Sequence, residues 1–144
     1  MASNPMSTAA LHVSASKEVV FAGDEVTLGG QIDYPMAKRP TSGDPLVFVL
    51  HHACCNTRED YVDYAQVALD QGFAVFRWDK RGTGRSGGGG RGSTTQDAVN
   101  AYEVALSQPS VNPRQAVILA VGAGTALLGS SFGLFARHQH PFGA

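Results

Sequence analysis

The stretch GFAVFRWDKRGTGRSGGGGRG, residues 72–92, carries the reading of the fold. Its first part, FAVFRWD, is short and almost wholly apolar, the pattern of a strand covered on both faces of a parallel sheet. The run Asp79-Lys80-Arg81-Gly82-Thr83-Gly84-Arg85-Ser86 then turns the chain sharply, and its glycines can take positive φ at little steric cost. Upstream, Thr57 to Gln71 reads as a helix. Thr57 and Asp60 stand at capping-box spacing, Tyr61, Val62, Ala65, Ala68 and Leu69 line one face, and Gly72 stops the run. Before it lies another apolar strand, LVFVLH, residues 46–51. Downstream, Thr94 with Asp97 is expected to cap a second helix whose stripe is Ala98, Val99, Tyr102 and Leu106. QPSVNP ends that helix, and QAVILAV, residues 115–121, is a further strand.

The amino-terminal third reads as two strands, KEVVFAG and DEVTLGGQIDYP, around a Gly23-Asp24 turn. Alternation in the second fails at Gly29-Gly30, which predicts a bulge. The expected order is a β-hairpin followed by β-α-β-α-β, hence a three-layer α/β domain with a mostly parallel sheet. The small, polar residues 1–16 are expected to form a mobile tail, with one domain over 17–144.

Composition narrows the classes. The 144 residues are 43% apolar and 16% charged with a formal net charge of −1, so no basic excess points to nucleic acid. The start lacks the basic and apolar regions of a secretory signal, and the longest apolar run, Ala116 to Leu128, is broken by Gly122, Gly124 and Thr125, so no membrane span is expected. Adjacent Cys54 and Cys55 fit no metal-ligand spacing and read as reduced thiols of a cytoplasmic protein. No cofactor and no metal are expected; His51-His52 as metal ligands would need a third ligand that no spacing identifies. Gly82 to Gly87 matches G-x-G-x-x-G, but no helix follows at once, and the phosphate-loop order with its lysine is absent.

D-x-R-G-x-G-x-S directly after GFAVFRWD resembles the loop after the fourth strand of α/β hydrolases. The preceding strand ending in His51 and the upstream EVTLGGQIDYP fit the same resemblance, which covers roughly residues 17–133. It implies a partial α/β-hydrolase fold, with Asp79, Arg81, Gly82, Gly84 and Ser86 as a structural loop at the strand ends. It also implies oxyanion donors after LVFVLH, where His51 matches the family histidine but His52 stands in place of its glycine.

Two registers compete for the nucleophile. Family spacing after Asn112-Pro113-Arg114 puts the elbow at Ala120 to Gly124, with Gly122 in the serine position. The motif G-x-S-x-G itself occurs later, as Gly129-Ser130-Ser131-Phe132-Gly133, with Ser131 as nucleophile and the N–H groups near His52 and Phe132 as oxyanion donors. Alternatively Ser130 and Ser131 lie inside a helix starting at Gly124. The triad order of the family is serine, acid, histidine, yet the last acidic residue is Glu103, and His138 and His140 follow Ser131 by only seven and nine residues. The expectation is therefore an incomplete serine hydrolase for a small ester or peptide-like substrate. The alternatives are a non-catalytic ligand- or partner-binding domain and a truncated reading frame. The final strand is expected to expose an apolar edge through which copies of the chain could associate.

Overall fold

The computed structural model describes residues 11–51, 56–88 and 91–120. Five strands form one sheet: β1 Ala15–Ala22, β2 Thr27–Tyr34, β3 Asp44–Leu50, β4 Ala74–Trp78 and β5 Val111–Ala120. A 3-10 turn, Arg58–Tyr61, leads into helix α1, Val62–Asp70, and helix α2 is Thr94–Leu106. The spatial order is β1-β2-β4-β3-β5. The hairpin strands join antiparallel, β1 to β2 and β2 to β4, while β3 runs parallel to both β4 and β5. The sheet is thus mixed, with its parallel part built by the β-α-β-α-β run.

Strand alternation separates two cores, one per face. Leu46, Phe48, Leu50, Ala74, Phe76 and Trp78 point toward α2 and pack with Ala98, Ala101, Tyr102 and Ala105. Val49 and Val75 point the other way, against Tyr61, Ala65 and Leu69 at the start and inner face of α1. The helices therefore cover opposite faces, which makes three layers. Phe48 is the aromatic centre, 5.2 Å from Tyr102 edge-on and 6.2 Å from Phe76 in a stacked arrangement. Gly72 ends the α1 segment with φ +92°, as its sequence position predicts.

Four local readings change. Gly29-Gly30 is not a bulge: β1 and β2 pair without interruption from Ala15↔Tyr34 to Ala22↔Thr27. The glycines instead permit close approach, since a Cβ on Gly30 would lie 3.0 Å from the Phe76 ring and from the Arg77 carbonyl. The first turn expected in the Thr57–Gln71 helix is 3-10, with the C=O of Arg58 held by Arg77 of β4 and its N–H by Asp79 just beyond that strand. Residues 11–16 are docked where a mobile tail is expected: Leu11 and Val13 pack on the α1-side core, and β1 already begins at Ala15. Finally, α2 is capped by Ser93, whose Oγ accepts from the Gln96 N–H at 3.2 Å. Thr94 lies inside the helix, and Asp97 is turned toward Arg81 and the Asp24 N–H.

β5 begins four residues before the expected strand and includes Pro113, which a strand tolerates at a sheet edge. Among the described residues only β3 pairs with β5, and Val117 is 51% exposed.

The cap assignment predicts that Ser93→Ala lowers unfolding free energy by about 1 kcal/mol, whereas Thr94→Ala changes it by less than about 0.5 kcal/mol. Urea denaturation of the two variants checks this.

Candidate functional site

Parallel pairing aligns the carboxyl ends of the three strands that bear the expected site. Leu50 pairs with Ala120 across β3 and β5, and Phe48 with Phe76 across β3 and β4. The chain therefore leaves β3 and β5 side by side at one edge of the sheet, the edge at which open α/β sheets bind ligands.

His51, the last residue before that exit, is 2% exposed. Its Nε2–H donates to the Trp78 carbonyl, and the two rings meet edge-on with centroids 4.3 Å apart. Trp78 in turn donates its indole N–H to the Val49 carbonyl at 2.9 Å. Burial pushes the imidazole down to about 4, with nearby Lys80 adding to the effect and the Trp78 carbonyl and nearby acids opposing it. His51 is therefore neutral around pH 7.

Asp79, one residue beyond β4, is 2% exposed and receives bonds from two directions. Arg58 gives it the backbone N–H at 2.8 Å and Nη2 at 2.8 Å, with Nε at 3.2 Å, and Arg85 gives its N–H at 3.0 Å. Burial works against ionisation, but these bonds outweigh it and hold the carboxyl below its ordinary range. The far side of the Arg58 guanidinium meets Glu18 of β1 at 2.6 and 2.9 Å and the Gly30 carbonyl at 3.1 Å. Arg77 is buried beside it, with Nη2 on Asp33 at 2.8 Å and Nη1 on the Arg58 carbonyl at 3.1 Å.

The glycine-rich loop closes on itself through these anchors. Gly82 N–H bonds the Gly87 carbonyl, Thr83 N–H the Lys80 carbonyl, Ser86 N–H the Thr83 carbonyl, and Gly87 N–H the Thr27 carbonyl. With the Arg85 N–H on Asp79, five loop amides are engaged within the protein. A phosphate cradle needs such amides free, so this geometry argues against nucleotide binding there. Ser86 Oγ donates to the Asp79 carbonyl and accepts from the Gly29 N–H. Arg81 forks onto Asp97 at 2.7 and 2.9 Å and reaches the Asp24 carbonyl, fastening the loop to α2 and to the hairpin turn.

Asp79, Arg81, Gly82, Gly84 and Ser86 thus form one anchored loop at the strand ends. His52, Ser131, Phe132 and the alternative elbow at Gly122 lie outside the described residues, as do Cys54, Cys55, His138 and His140. The sequence reading missed Arg58, Arg77, Glu18 and Asp33. The available signal was Arg77 itself: a charge inside an otherwise apolar strand demands a buried partner. Between Gln31, Arg58, Asp79 and Arg85 an open depression of about 190 Å³ remains. Among the described residues no cluster of three or more potential metal ligands occurs, and no helix is long and apolar enough to cross a membrane.

Two expectations follow. Gly82 (φ +78°) has nothing within 4 Å of an added Cβ, so Gly82→Ala carries only backbone strain, about 1–2 kcal/mol. At Gly84 (φ +48°) the Cβ would fall 2.5 Å from the Asp79 carboxylate, so Gly84→Ala destabilises more in urea unfolding by displacing Asp79 from Arg58. For His51, the unfolded chain binds the proton near 6.5 and the folded chain near 4. Stability from this residue is complete above the unfolded value and is lost as pH falls toward the folded one, by about 3 kcal/mol over the whole window. The urea midpoint should therefore fall more between pH 7 and pH 4.5 in the wild type than in His51→Gln.

No protein-family model matches the sequence, and no curated protein matches it. Solved structures do. The thermophilic carboxylesterase EstE1, cloned from a metagenomic library, aligns over 95% of this chain and 47% of its own with TM-score 0.69 and 14% identity. An alpha-beta hydrolase from Vibrio vulnificus aligns over 87% of this chain and 42% of its own with TM-score 0.69 and 20% identity. An acetyl xylan esterase from a Paenibacillus species aligns over 83% and 45% with TM-score 0.65 and 20% identity. The chain spans less than half the length of each. With the mixed sheet, the helices on opposite faces and the anchored loop after β4, this likeness shows a partial α/β-hydrolase fold.

Proposed function

We propose that the chain is part of a serine hydrolase that transfers an acyl group from a carboxylic ester or peptide bond to water. Ser131 is its nucleophile, and the backbone N–H groups near His52 and of Phe132 stabilise the oxyanion. The observation that supports this is the Leu50↔Ala120 pairing, which starts the chain after His51 and the chain after β5 from neighbouring positions. Donor and nucleophile need that proximity, because the oxyanion forms on the carbon that the serine attacks. In the reaction the Ser131 hydroxyl adds to the carbonyl carbon, its proton passes to a base, and the alcohol or amine leaves protonated. Water then releases the acid. No acidic residue follows Glu103, and His138 and His140 follow Ser131 too closely to serve as the base, so this reading takes both the base histidine and its carboxylate from polypeptide outside these 144 residues.

The same pairing favours a second reading. Gly122 is two residues beyond Ala120, closer to the strand end than Ser131 and without a nucleophilic side chain. On that register the edge is a ligand- or partner-binding cleft with no chemistry.

A fluorophosphonate probe separates the two. The expected outcome is covalent labelling of Ser131 in the wild type and none in Ser131→Ala, located by peptide mass spectrometry. Absence of labelling both in the chain alone and in the presence of the polypeptide that supplies the acid and base, or equal labelling of both proteins, removes the hydrolase reading and leaves the binding domain.

A further inference from the structure

The β1–β2 ladder stops at Ala15↔Tyr34 for a chemical reason. Pro35 follows Tyr34 and has no N–H to offer a strand, so the chain before Ala15 takes partners elsewhere. Ser14 still gives its N–H to the Tyr34 carbonyl at 2.9 Å, and the residues preceding it cross to α1. There the His12 N–H donates to Oε1 of Gln66 at 2.9 Å, while Leu11 and Val13 pack on the cluster of Val49, Val75, Ala65 and Leu69. Leu11 and Val13 are half-buried and His12 between them is exposed, so the segment alternates as an extended chain does. Alternate side chains turned inward, with a backbone amide read between them, are how an extended peptide is held in a groove. Gln66 is set for that task. Its Nε2–H donates to Asp70 Oδ1 at 2.7 Å, one turn on, which leaves Oε1 toward the segment.

We propose that residues 11–14 are an intramolecular strap, seated in an extended-peptide site between α1 and the sheet. Release of the strap opens this site to a peptide of the same pattern, with apolar side chains at positions i and i+2. Asp33 of β2 pairs with Val75, and Leu46 with Ala74, so the site lies at the end of the sheet where β3 and β4 begin. The expected chemistry lies at the opposite, carboxyl edge, and the strap does not rest on the hydrolase reading. The strap occupies its site by proximity: a tethered segment faces its site at about millimolar effective concentration. A free peptide binds only those molecules in which the strap is open, so its apparent affinity falls by that fraction. Exchange is open to it because two half-buried side chains and one amide bond to Gln66 hold the strap to α1, where a strand ladder would hold it throughout.

The test uses the full chain, the variant Leu11→Ser/Val13→Ser, which vacates the site, and that variant with Gln66→Ala added. The probe is a synthetic end-blocked peptide of residues 9–15, and a second peptide with serine at positions 11 and 13 is the control. Amide chemical shifts of Ala65, Gln66 and Leu69 report binding, and those of Phe48 and Phe76 report that the sheet is intact. In the vacated variant the native peptide should half-saturate these shifts at a concentration at least about tenfold below that needed in the wild type, as a strap closed about nine-tenths of the time requires. The serine peptide should leave the shifts unmoved. Adding Gln66→Ala should raise the half-saturation concentration about fivefold, the effect of losing one neutral hydrogen bond. Hydrogen exchange gives a second readout that needs no vacated site: the His12 amide should exchange slowly in the wild type and several-fold faster in the single variant Gln66→Ala.

A vacated variant with an intact sheet that does not respond to the native peptide overturns the inference, as does an equal response to both peptides. Equal half-saturation in the wild type and the vacated variant also overturns it, because the strap would then close nothing. If the double substitution unfolds the chain, the His12 amide decides. Exchange as fast as in an unstructured peptide, or exchange unaffected by Gln66→Ala, overturns the strap; slow exchange released by Gln66→Ala upholds it.

Discussion

The contact between Asp79 and Arg58, both nearly sealed from solvent, is the constraint on which the rest of the site depends. Two charges cannot leave water cheaply, and their mutual attraction alone seldom offsets the cost. Here the carboxylate also receives two backbone amides, and the guanidinium reaches Glu18 and a strand carbonyl. Removing one partner from such a pair leaves the other charge buried alone, which costs about 3–5 kcal/mol. The pair therefore fixes at once the exit of β4, the start of the α1 segment and the approach of β1.

β4 can perform this role because its two faces are chemically distinct. Phe76 and Trp78 join Phe21 and Phe48 in the apolar layer beneath α2. Arg77 faces the other way and meets Asp33 of β2, itself fully buried and bonded by Gln31. Alternation thus gives one side wholly to hydrophobic burial and sets on the other a connected ionic network beside the apolar packing of Val75. The aromatic side holds the strand in place; the ionic side passes that placement on to the loops at the carboxyl edge.

Much of the fold was legible in the sequence, for local reasons. FAVFRWD and LVFVLH are apolar runs of strand length, Gly72 stops a periodic helix, and Gly23-Asp24 separates two strands, so each element carries its own signal. The errors share another cause. Gly29-Gly30 looked like a bulge because the ring of Phe76, which needs the room, is remote in sequence. Asp97 looked like half of a capping pair because Arg81 and Asp24, its partners, sit sixteen and seventy-three residues away. Arg58 drew no notice at all, being one arginine in a polar stretch.

By itself the sequence determined the alternation of strands and helices, the glycine loop after Asp79 and the inventory of groups available for chemistry, including the absence of any acidic residue after Glu103. Those properties are local or compositional. Only the tertiary structure decided which charges are buried and with whom, which amides of the glycine loop are engaged, and that the ends of β3 and β5 emerge side by side. The reason is physical: a hydrophobic period is written in adjacent residues, whereas a buried ion pair is satisfied across space, by partners whose spacing along the chain carries no period.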